Sequence, residues 1–378
     1  MIDELFAKFA RLCDETKKRP RVFIATQTFP PRIGGMENVM EALAEKFSQI
    51  GHNVTVLPNR AYRTPSAFRV ISLGMIRPLR IIAKRLVLKL MLRNEDVVIC
   101  DSWKPINVIT RRFKERLVVL AHGQEYLKGD KHFKKIQSAL TRASAVIASS
   151  DFTAGLIRQR YEIAPSKLKV IPPTYMLEAD GAPQIATKDN TMPVHLISLC
   201  RLDKRKGLMQ TLHALHGIGT TAQKWHWDII GNGPEAEVLK EEVARLGLSD
   251  KIKFHYNVGD AEKAEKLSAA DLFVMPSYQV GGSVEGFGIS YIEAAQYGLP
   301  AIAGIAGGSA SAVKDGETGW CIDTTDKGQI EAALVEAINS SEERDRRGQA
   351  AFMRYQNEFL GDRVFDDFIA HATATAGA

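Results

Sequence analysis

Short runs almost free of polar residues recur along this chain, each followed by a loop and a longer amphipathic stretch. Arg21-Val22-Phe23-Ile24-Ala25-Thr26 is the first, and Asn53 to Leu57, Asp96 to Cys100, Leu117 to Ala121 and Ala145 to Ala148 follow. A strand with one solvated face alternates apolar and polar residues, and these runs do not. They need cover on both faces, which helices between successive strands provide, so the pattern predicts a parallel α/β sheet. The first strand leads through Phe29-Pro30-Pro31-Arg32-Ile33-Gly34-Gly35 into a helix over about 37–50 that Gly51-His52 ends.

Residues 174–192 break the rhythm. They lack periodicity, contain Gly181 and Pro183, and read as an interdomain linker. The pattern then restarts with Val194–Leu199, the loop Arg201–Gly207 and a helix from about Leu208. Trp227–Ile230, Ile252–Tyr256, Leu272–Met275, Pro300–Ala303 and Gly319–Ile322 supply further strands. A length of 378 residues accommodates two domains, placed at 1–180 and 190–354. Each opens with strand, polar loop and helix. Ligands of doubly wound sheets bind where loops leave the carboxyl ends of strands, so two such domains facing one another would put both opening loops in one cleft.

Apolar residues at 45% and charged residues at 25% describe a globular protein with a substantial core. The formal net charge of +6 suits anionic small molecules or anionic lipid as well as nucleic acid. No zinc-finger spacing or dense Lys/Arg tract selects DNA or RNA, and nucleic acid is not expected as a partner. Cys13, Cys100, Cys200 and Cys321 are scattered without a CxxC pair, the pattern of buried free thiols in a reducing compartment. Residues 1–20 lack the apolar core of a signal peptide, and no stretch is long and apolar enough to span a bilayer, so a cytoplasmic location is expected. Ile2, Leu5, Phe6, Phe9 and Leu12 recur at helical spacing and predict an amphipathic helix packed on the domain surface.

The most informative stretch is Glu285-Gly286-Phe287-Gly288-Ile289-Ser290-Tyr291-Ile292-Glu293. Asp271 to Met275 before it reads as a buried strand, so a glycine-rich turn here enters a helix whose first N–H groups favour an anion. Carboxylates beside an anion site suit hydroxyls, provided that cations elsewhere hold the charge. Polyol and phosphate in one pocket suggest a nucleotide sugar. On one helix Glu285 and Glu293 would lie about 80° apart, but the glycines place Glu285 before the helix, so the two serve different groups.

Other motifs are individually ambiguous. Gly34-Gly35-Met36-Glu37 lets backbone N–H groups approach a phosphate, or is a plain tight turn with Glu37 as a first-turn acid. The cations of Arg201-Leu202-Asp203-Lys204-Arg205-Lys206-Gly207 could neutralise a diphosphate, or form a solvated basic loop. Gly231-Asn232-Gly233-Pro234-Glu235-Ala236 formally fits G-x-G-x-x-A. Pro234 removes an N–H donor and the next strand ends at Asn257 without an acid, so a turn near a nucleotide fits better than a nicotinamide site. His122 ends a strand and is either structural or catalytic, while Ser149-Ser150-Asp151 reads as a helix cap without chemistry. Between Arg77 and Arg93, cations including Arg80, Lys84, Arg85 and Lys89 occupy a broad arc, with Leu79, Leu86 and Leu90 on the opposite side. Such a helix either rests on anionic lipid or simply has a solvated basic face.

In their order these motifs, from about Val22 to Asp323, resemble retaining glycosyltransferases of the GT-B fold, family 4. The loop Tyr278 to Val284 and Gly298-Leu299-Pro300-Ala301-Ile302-Ala303-Gly304 look like those of GDP-mannose-dependent phosphatidylinositol mannosyltransferases. The resemblance implies two Rossmann-like domains across a cleft, with a helix over about 355–378 returning to the first. Arg201 and Lys206 would grip the donor diphosphate, Glu293 the ribose, and Glu285 with the backbone of Phe287, Gly288 and Ile289 the sugar and phosphate. Gly34 and Gly35 would lie against the diphosphate or sugar, His122 near the sugar C6 hydroxyl, and Gly231, Gly233, Asn257 and Val258 would also contact the donor.

The implied reaction moves a hexose, with mannose favoured, from a nucleotide sugar to a glycan or lipid-linked acceptor of the cell envelope. It would proceed with retention and without a metal or other cofactor, at the inner face of the cytoplasmic membrane. A sugar 2-epimerase or phosphorylase on the same fold, or a non-catalytic binding protein, are the alternatives. Two stretches depart from the family pattern: Ile171-Pro172-Pro173-Thr174-Tyr175-Met176 lacks a glycine and an acid, and Phe254-His255-Tyr256-Asn257 lacks a glycine, so hinge contacts and base choice do not carry over.

Overall fold

The computed structural model describes residues 19–374 apart from 32–33, 63–65, 74–75, 114–115, 128–131, 177–191, 220 and 223. The helix expected over 2–12, Cys13 and most of the linker lie outside the described residues. The first domain is a seven-stranded parallel sheet in the order β3-β2-β1-β4-β5-β6-β7. Its strands are β1 (Val22–Ala25), β2 (Val54–Leu57), β3 (Arg69–Val70), β4 (Val97–Cys100), β5 (Leu117–Ala121), β6 (Ala145–Ala148) and β7 (Leu168–Val170). Every residue of β1, β2, β4, β5 and β6 is buried, as runs without alternation require. A two-pronged ion pair from Arg21 to Asp96, at 2.9 and 2.7 Å, pins the starts of β1 and β4.

The second domain repeats the plan with six parallel strands in the order β10-β9-β8-β11-β12-β13. These are β8 (Val194–Leu199), β9 (Trp225–Ile230), β10 (Ile252–His255), β11 (Leu272–Met275), β12 (Ala301–Gly304) and β13 (Gly319–Ile322). In both sheets the chain first winds outward from one strand, β1 or β8, and then returns to its other side with β4 or β11. The crevice at each reversal, at the carboxyl ends of those strands, is where a doubly wound sheet leaves room for a ligand. Strands β3 and β7 escape a reading from apolar runs because they are short outer strands carrying Arg69 and Lys169, where water replaces a missing neighbour.

Helices α1 (Gly35–Gln49), α2 (Arg77–Met91), α3 (Phe133–Arg142) and α4 (Asp151–Arg160) belong to the first domain. In the second lie α5 (Leu208–Ile218), α6 (Ala236–Arg245), α7 (Asp260–Ala269), α8 (Ile289–Ala295), α9 (Lys327–Asn339) and α10 (Ser341–Arg354). The last helix, α11 (Gly361–Ala374), crosses back: its Val364, Phe365, Phe368 and Ala372 join the buried cluster formed by α1 and β1. Phe47 of α1 meets Phe365 and Phe368 edge to face, with ring centroids 5.1 and 6.1 Å apart.

Helix α2 turns one of its cations inward and most of its leucines outward. Lys84 and Leu88 are buried, while Leu79, Ile82, Leu86 and Leu90 form an outward stripe, 53–76% exposed. The cause is at the carboxyl ends of β1 and β2, where the ladder thins out and Leu57 O receives only a long 3.4 Å backbone bond from the Thr26 N–H. Lys84 Nζ donates to Leu57 O and Asn59 Oδ1, both at 2.8 Å, and approaches Thr26 O at 3.5 Å. Burial, with Arg80 nearby, lowers the Lys84 pKa to about 8. An inward cation on one side rotates the leucines outward on the other.

Because Phe368 is fully buried in the seam between the last helix and α1, Phe368→Ala should cost about 3–5 kcal/mol. Urea unfolding followed by fluorescence measures this, and a loss below about 1 kcal/mol would show that the last helix is not a structural part of the first domain.

Candidate active site

The site forms where the two sets of carboxyl-terminal strand ends meet. On the first domain, Asp101 follows β4 and one of its carboxylate oxygens gathers the loop after β1. It accepts the N–H groups of Gln27 (2.5 Å) and Thr28 (2.9 Å) and lies 2.7 and 2.9 Å from the hydroxyls of Thr26 and Thr28. The Asp101 carbonyl accepts from His122 Nε2 at 2.9 Å, and a carbonyl can only accept, so Nε2 carries the proton. The backbone N–H of His122 donates to Glu125 Oε1 at 2.9 Å. His122 is thus fixed at the end of β5 with its orientation set by the neighbouring strand.

On the second domain, Lys204–Lys206 makes one tight 3-10 turn after β8 and ends at Gly207, whose φ is +74°. A Cβ at Gly207 would stand 2.2 Å from Pro276 O, so glycine is needed both for the turn and for the approach of β11. This turn points Lys206 inward. Its Nζ meets Glu285 Oε2, and Arg205 Nη1 donates to the same oxygen at 2.8 Å. Burial alone would raise the Glu285 pKa, but Lys206 and Arg205 outweigh it and hold the carboxylate at about 2. Arg205 Nε also lies 3.5 Å from Asp203 Oδ1, so these two cations are balanced by two carboxylates, and the surplus positive charge that would receive an anion comes from Arg201 and Lys204 of the same loop.

Arg201, expected beside Lys206 at the diphosphate, is exposed and its side chain has no hydrogen bond or ion pair among the described residues, while Arg205, which the sequence does not single out, shares the Glu285 carboxylate with Lys206. Nothing in a run of three cations tells which of them a tight turn sends inward. The two acids are separated as expected: Glu293 on α8 pairs with Lys263 of α7 at 3.1 Å, away from the Glu285 cluster. Phe287 packs its ring in the core against Phe359, which leaves its backbone as the part available to a ligand. Gly288, at φ +90°, precedes α8, and Ile289 packs against buried clusters of both domains, 3.8 Å from a Cβ built at Gly35. Gly34 covers the buried Glu37 carboxylate, which lies 2.4 Å from where its Cβ would be.

Gly231 and Gly233 are demanded by packing. Their Cβ atoms would fall 1.8 Å from Cys200 O and 2.1 Å from Leu202 O, so this turn lies directly on the β8 loop. Asn257 takes a left-handed φ of +55° and accepts from Asn232 at 3.2 Å, with half-buried Val258 beside it. Among the described residues, no group of three His, Cys, Asp or Glu converges on a metal site. Cys100, Cys200 and Cys321 are free thiols, and burial pushes the last two up to about 12.

Two facing parallel-sheet domains with this cluster between them define a glycosyltransferase of the GT-B fold. The family descriptions Glycosyltransferase Family 4 and Glycosyl transferases group 1 match residues 33–178 and 184–354 in turn. The chain belongs to glycosyltransferase family 4. It is 27% identical over 345 residues to a GDP-mannose-dependent alpha-(1-6)-phosphatidylinositol monomannoside mannosyltransferase of Mycolicibacterium smegmatis, covering 84% of this chain and 89% of that protein. A Corynebacterium glutamicum protein acting on the monoacylated monomannoside is 23% identical, covering 91% and 96%. Among solved structures, Anabaena HepE in complex with UDP and glucose superposes with a TM-score of 0.72 at 16% identity, covering 94% of this chain and all of that one. Sucrose-phosphate synthase of Thermosynechococcus elongatus gives 0.76 at 18% identity, covering 96% and 100%.

Glu285 ionises more readily folded than unfolded, so it contributes stability above about pH 4.5 that is lost as pH falls toward 2. Glu285→Gln leaves the buried Lys206 without its carboxylate, while Arg205 keeps Asp203, and should destabilise the protein by about 3 kcal/mol at pH 7, with the gap to wild type narrowing between pH 4.5 and 3. Urea melts at pH 7 and pH 3 measure it; parallel losses in both proteins would refute the assignment.

Proposed function

We propose that this glycosyltransferase moves a hexose, mannose in preference to glucose, from a nucleoside-diphosphate sugar to a glycan or lipid-linked acceptor of the cell envelope. The observation that carries the reading is the Lys206–Glu285–Arg205 cluster after β8, beside the point where Gly286 packs against the His122 carbonyl of the first domain. The relatives described as GDP-mannose-dependent support mannose, and the HepE complex with UDP and glucose supports a nucleotide-sugar donor in this fold.

In this mechanism Lys206 and Arg205, joined by Arg201 from the loop above, stabilise the diphosphate as its charge grows on departure. Lys206 has donors beyond the one it gives to Glu285. Glu285 holds the cations in place and offers its carboxylate to sugar hydroxyls, while Glu293, drawn toward α7 by Lys263, takes the ribose hydroxyls. The N–H groups at Phe287, Gly288 and Ile289 lie at the start of α8, where a phosphate is favoured. His122 orients the sugar, and Gly34, Gly35, Gly231, Gly233, Asn257 and Val258 line the donor. The departing phosphate oxygen accepts the acceptor's proton on the face the leaving group vacates, which gives retention. The cations do the work of charge neutralisation, so no metal or other cofactor is required.

Lys206→Ala should lower kcat by about 100-fold or more with a smaller change in donor KM, because its contact strengthens in the transition state. Nucleotide release from GDP-mannose and UDP-glucose with a lipid or glycan acceptor, with and without EDTA, measures this. Turnover within twofold of wild type would overturn the role of Lys206. Release with no acceptor, or only with inorganic phosphate, would favour an epimerase or phosphorylase.

The stripe Leu79, Ile82, Leu86 and Leu90 is flanked by Arg85 and Lys89, which suits an anionic membrane surface at which a lipid-linked acceptor resides. No helix among the described residues is long and apolar enough to cross a membrane. Co-sedimentation with phosphatidylglycerol vesicles should be lost on Leu86→Ser with Leu90→Ser and weakened by Arg85→Glu. Absence of binding by wild type at low salt would refute this surface.

A further inference from the structure

Ser150, which the sequence marks only as a helix cap, has a second partner in the other domain. Its Oγ accepts the Thr153 N–H at 3.2 Å as the cap of α4. Its hydroxyl proton points across the cleft to Gly286 O at 2.6 Å, a shorter contact than the 3.1 Å to Thr153 Oγ1. Ser149 Oγ stands 3.4 Å from the same carbonyl. Two residues earlier in that loop, Val284 O accepts from Gln124 Nε2 at 3.0 Å, and Gln124 lies just after His122-Gly123. Between them Glu285 O accepts the N–H of Gly308 from its own domain at 2.8 Å. Three successive carbonyls are therefore held by the first domain, the second and the first again, and the middle one belongs to Glu285.

The glycines record the same contact. Gly286 is not in the left-handed region, so its backbone does not call for glycine. Space does: a Cβ there would stand 2.1 Å from His122 O of the opposite domain. A Cβ at Gly308 would fall 2.0 Å from Gly286 O and 2.8 Å from Ser150 Oγ. Side chains at either position would part the two domains at this point.

We propose that Ser150 and Gln124 are positioning residues that clasp the Val284–Gly286 loop, so that the placement of the Glu285 carboxylate depends on the two domains being closed. This rests on the transferase reading for its consequence, but the clasp itself does not. The test uses three full-length variants. Ser150→Asp keeps an acceptor for the cap but has no proton for Gly286 O. Gln124→Glu keeps the size but replaces the donor with a carboxylate that faces Val284 O. Ser150→Thr keeps the hydroxyl and serves as the rescue.

Small-angle X-ray scattering without ligand should show a larger radius of gyration for Ser150→Asp and Gln124→Glu than for wild type and Ser150→Thr. Calorimetry should show both domains of each variant still folded at the assay temperature, with Ser150→Asp melting below Ser150→Thr because its carboxylate faces Gly286 O at a buried position. In transfer assays each of the two should lose about three- to tenfold in kcat/KM, as expected for one hydrogen bond. Combined, they should lose less than the product, because both hold one loop. Wild-type scattering that fits separated domains, or variants that scatter like wild type, overturns the clasp. Scattering as expected with no sugar transfer by any protein would leave the clasp standing and overturn the transferase reading instead.

Discussion

Glu285 can remain ionised out of water only because Lys206 and Arg205 stand against the same carboxylate oxygen, and that requirement runs through both domains. A buried carboxylate without them would take up a proton, and buried cations without it would be expelled toward solvent. To bring the three together, the chain after β8 makes one tight turn ending at Gly207, beside Pro276 at the end of β11. The loop carrying Glu285 is held from outside as well, since the carbonyls on either side of it are bonded to the first domain. The charge cluster lies in the second domain, and the first domain holds the loop that carries its carboxylate.

Strand ends make this economy available. In a parallel sheet every strand finishes on the same edge, so Thr26, Asp101, His122 and Ser149 lie along one rim of the first domain although they are far apart in the chain. The rim also leaves carbonyls short of strand partners, and the protein meets them with polar side chains turned inward. Lys84 does so beneath the β1 and β2 ends, and His122 does so against Asp101. The first of these choices determines which side of α2 faces water, and therefore gives the domain its exposed leucine stripe.

Much of this was legible in the sequence. Apolar runs without alternation located the principal strands of both sheets, because residues covered on both faces leave that mark. The outer strands β3 and β7 left none, being half solvated and short. The glycines of the site could be seen but not interpreted: Gly231 and Gly233 answer to backbone atoms of residues 200–202, and Gly286 to a carbonyl of the other domain. Arg201 and Arg205 are equal in the sequence, and the tight turn at Lys204–Lys206 separates them. The leucines and cations of α2 were identified as two opposite sides, but not which side would be buried, because the deciding carbonyls lie on β1 and β2.

The sequence by itself determined two α/β domains, glycine turns at helix starts and acids that serve different groups, because local periodicity and backbone freedom are written into neighbouring residues. The tertiary structure decided that Arg205 shares the Glu285 carboxylate with Lys206, where Lys84 points, and that a capping serine reaches the opposite domain. Each of those depends on an atom from a distant segment coming within hydrogen-bond range, and burial makes such a partner worth the loss of water.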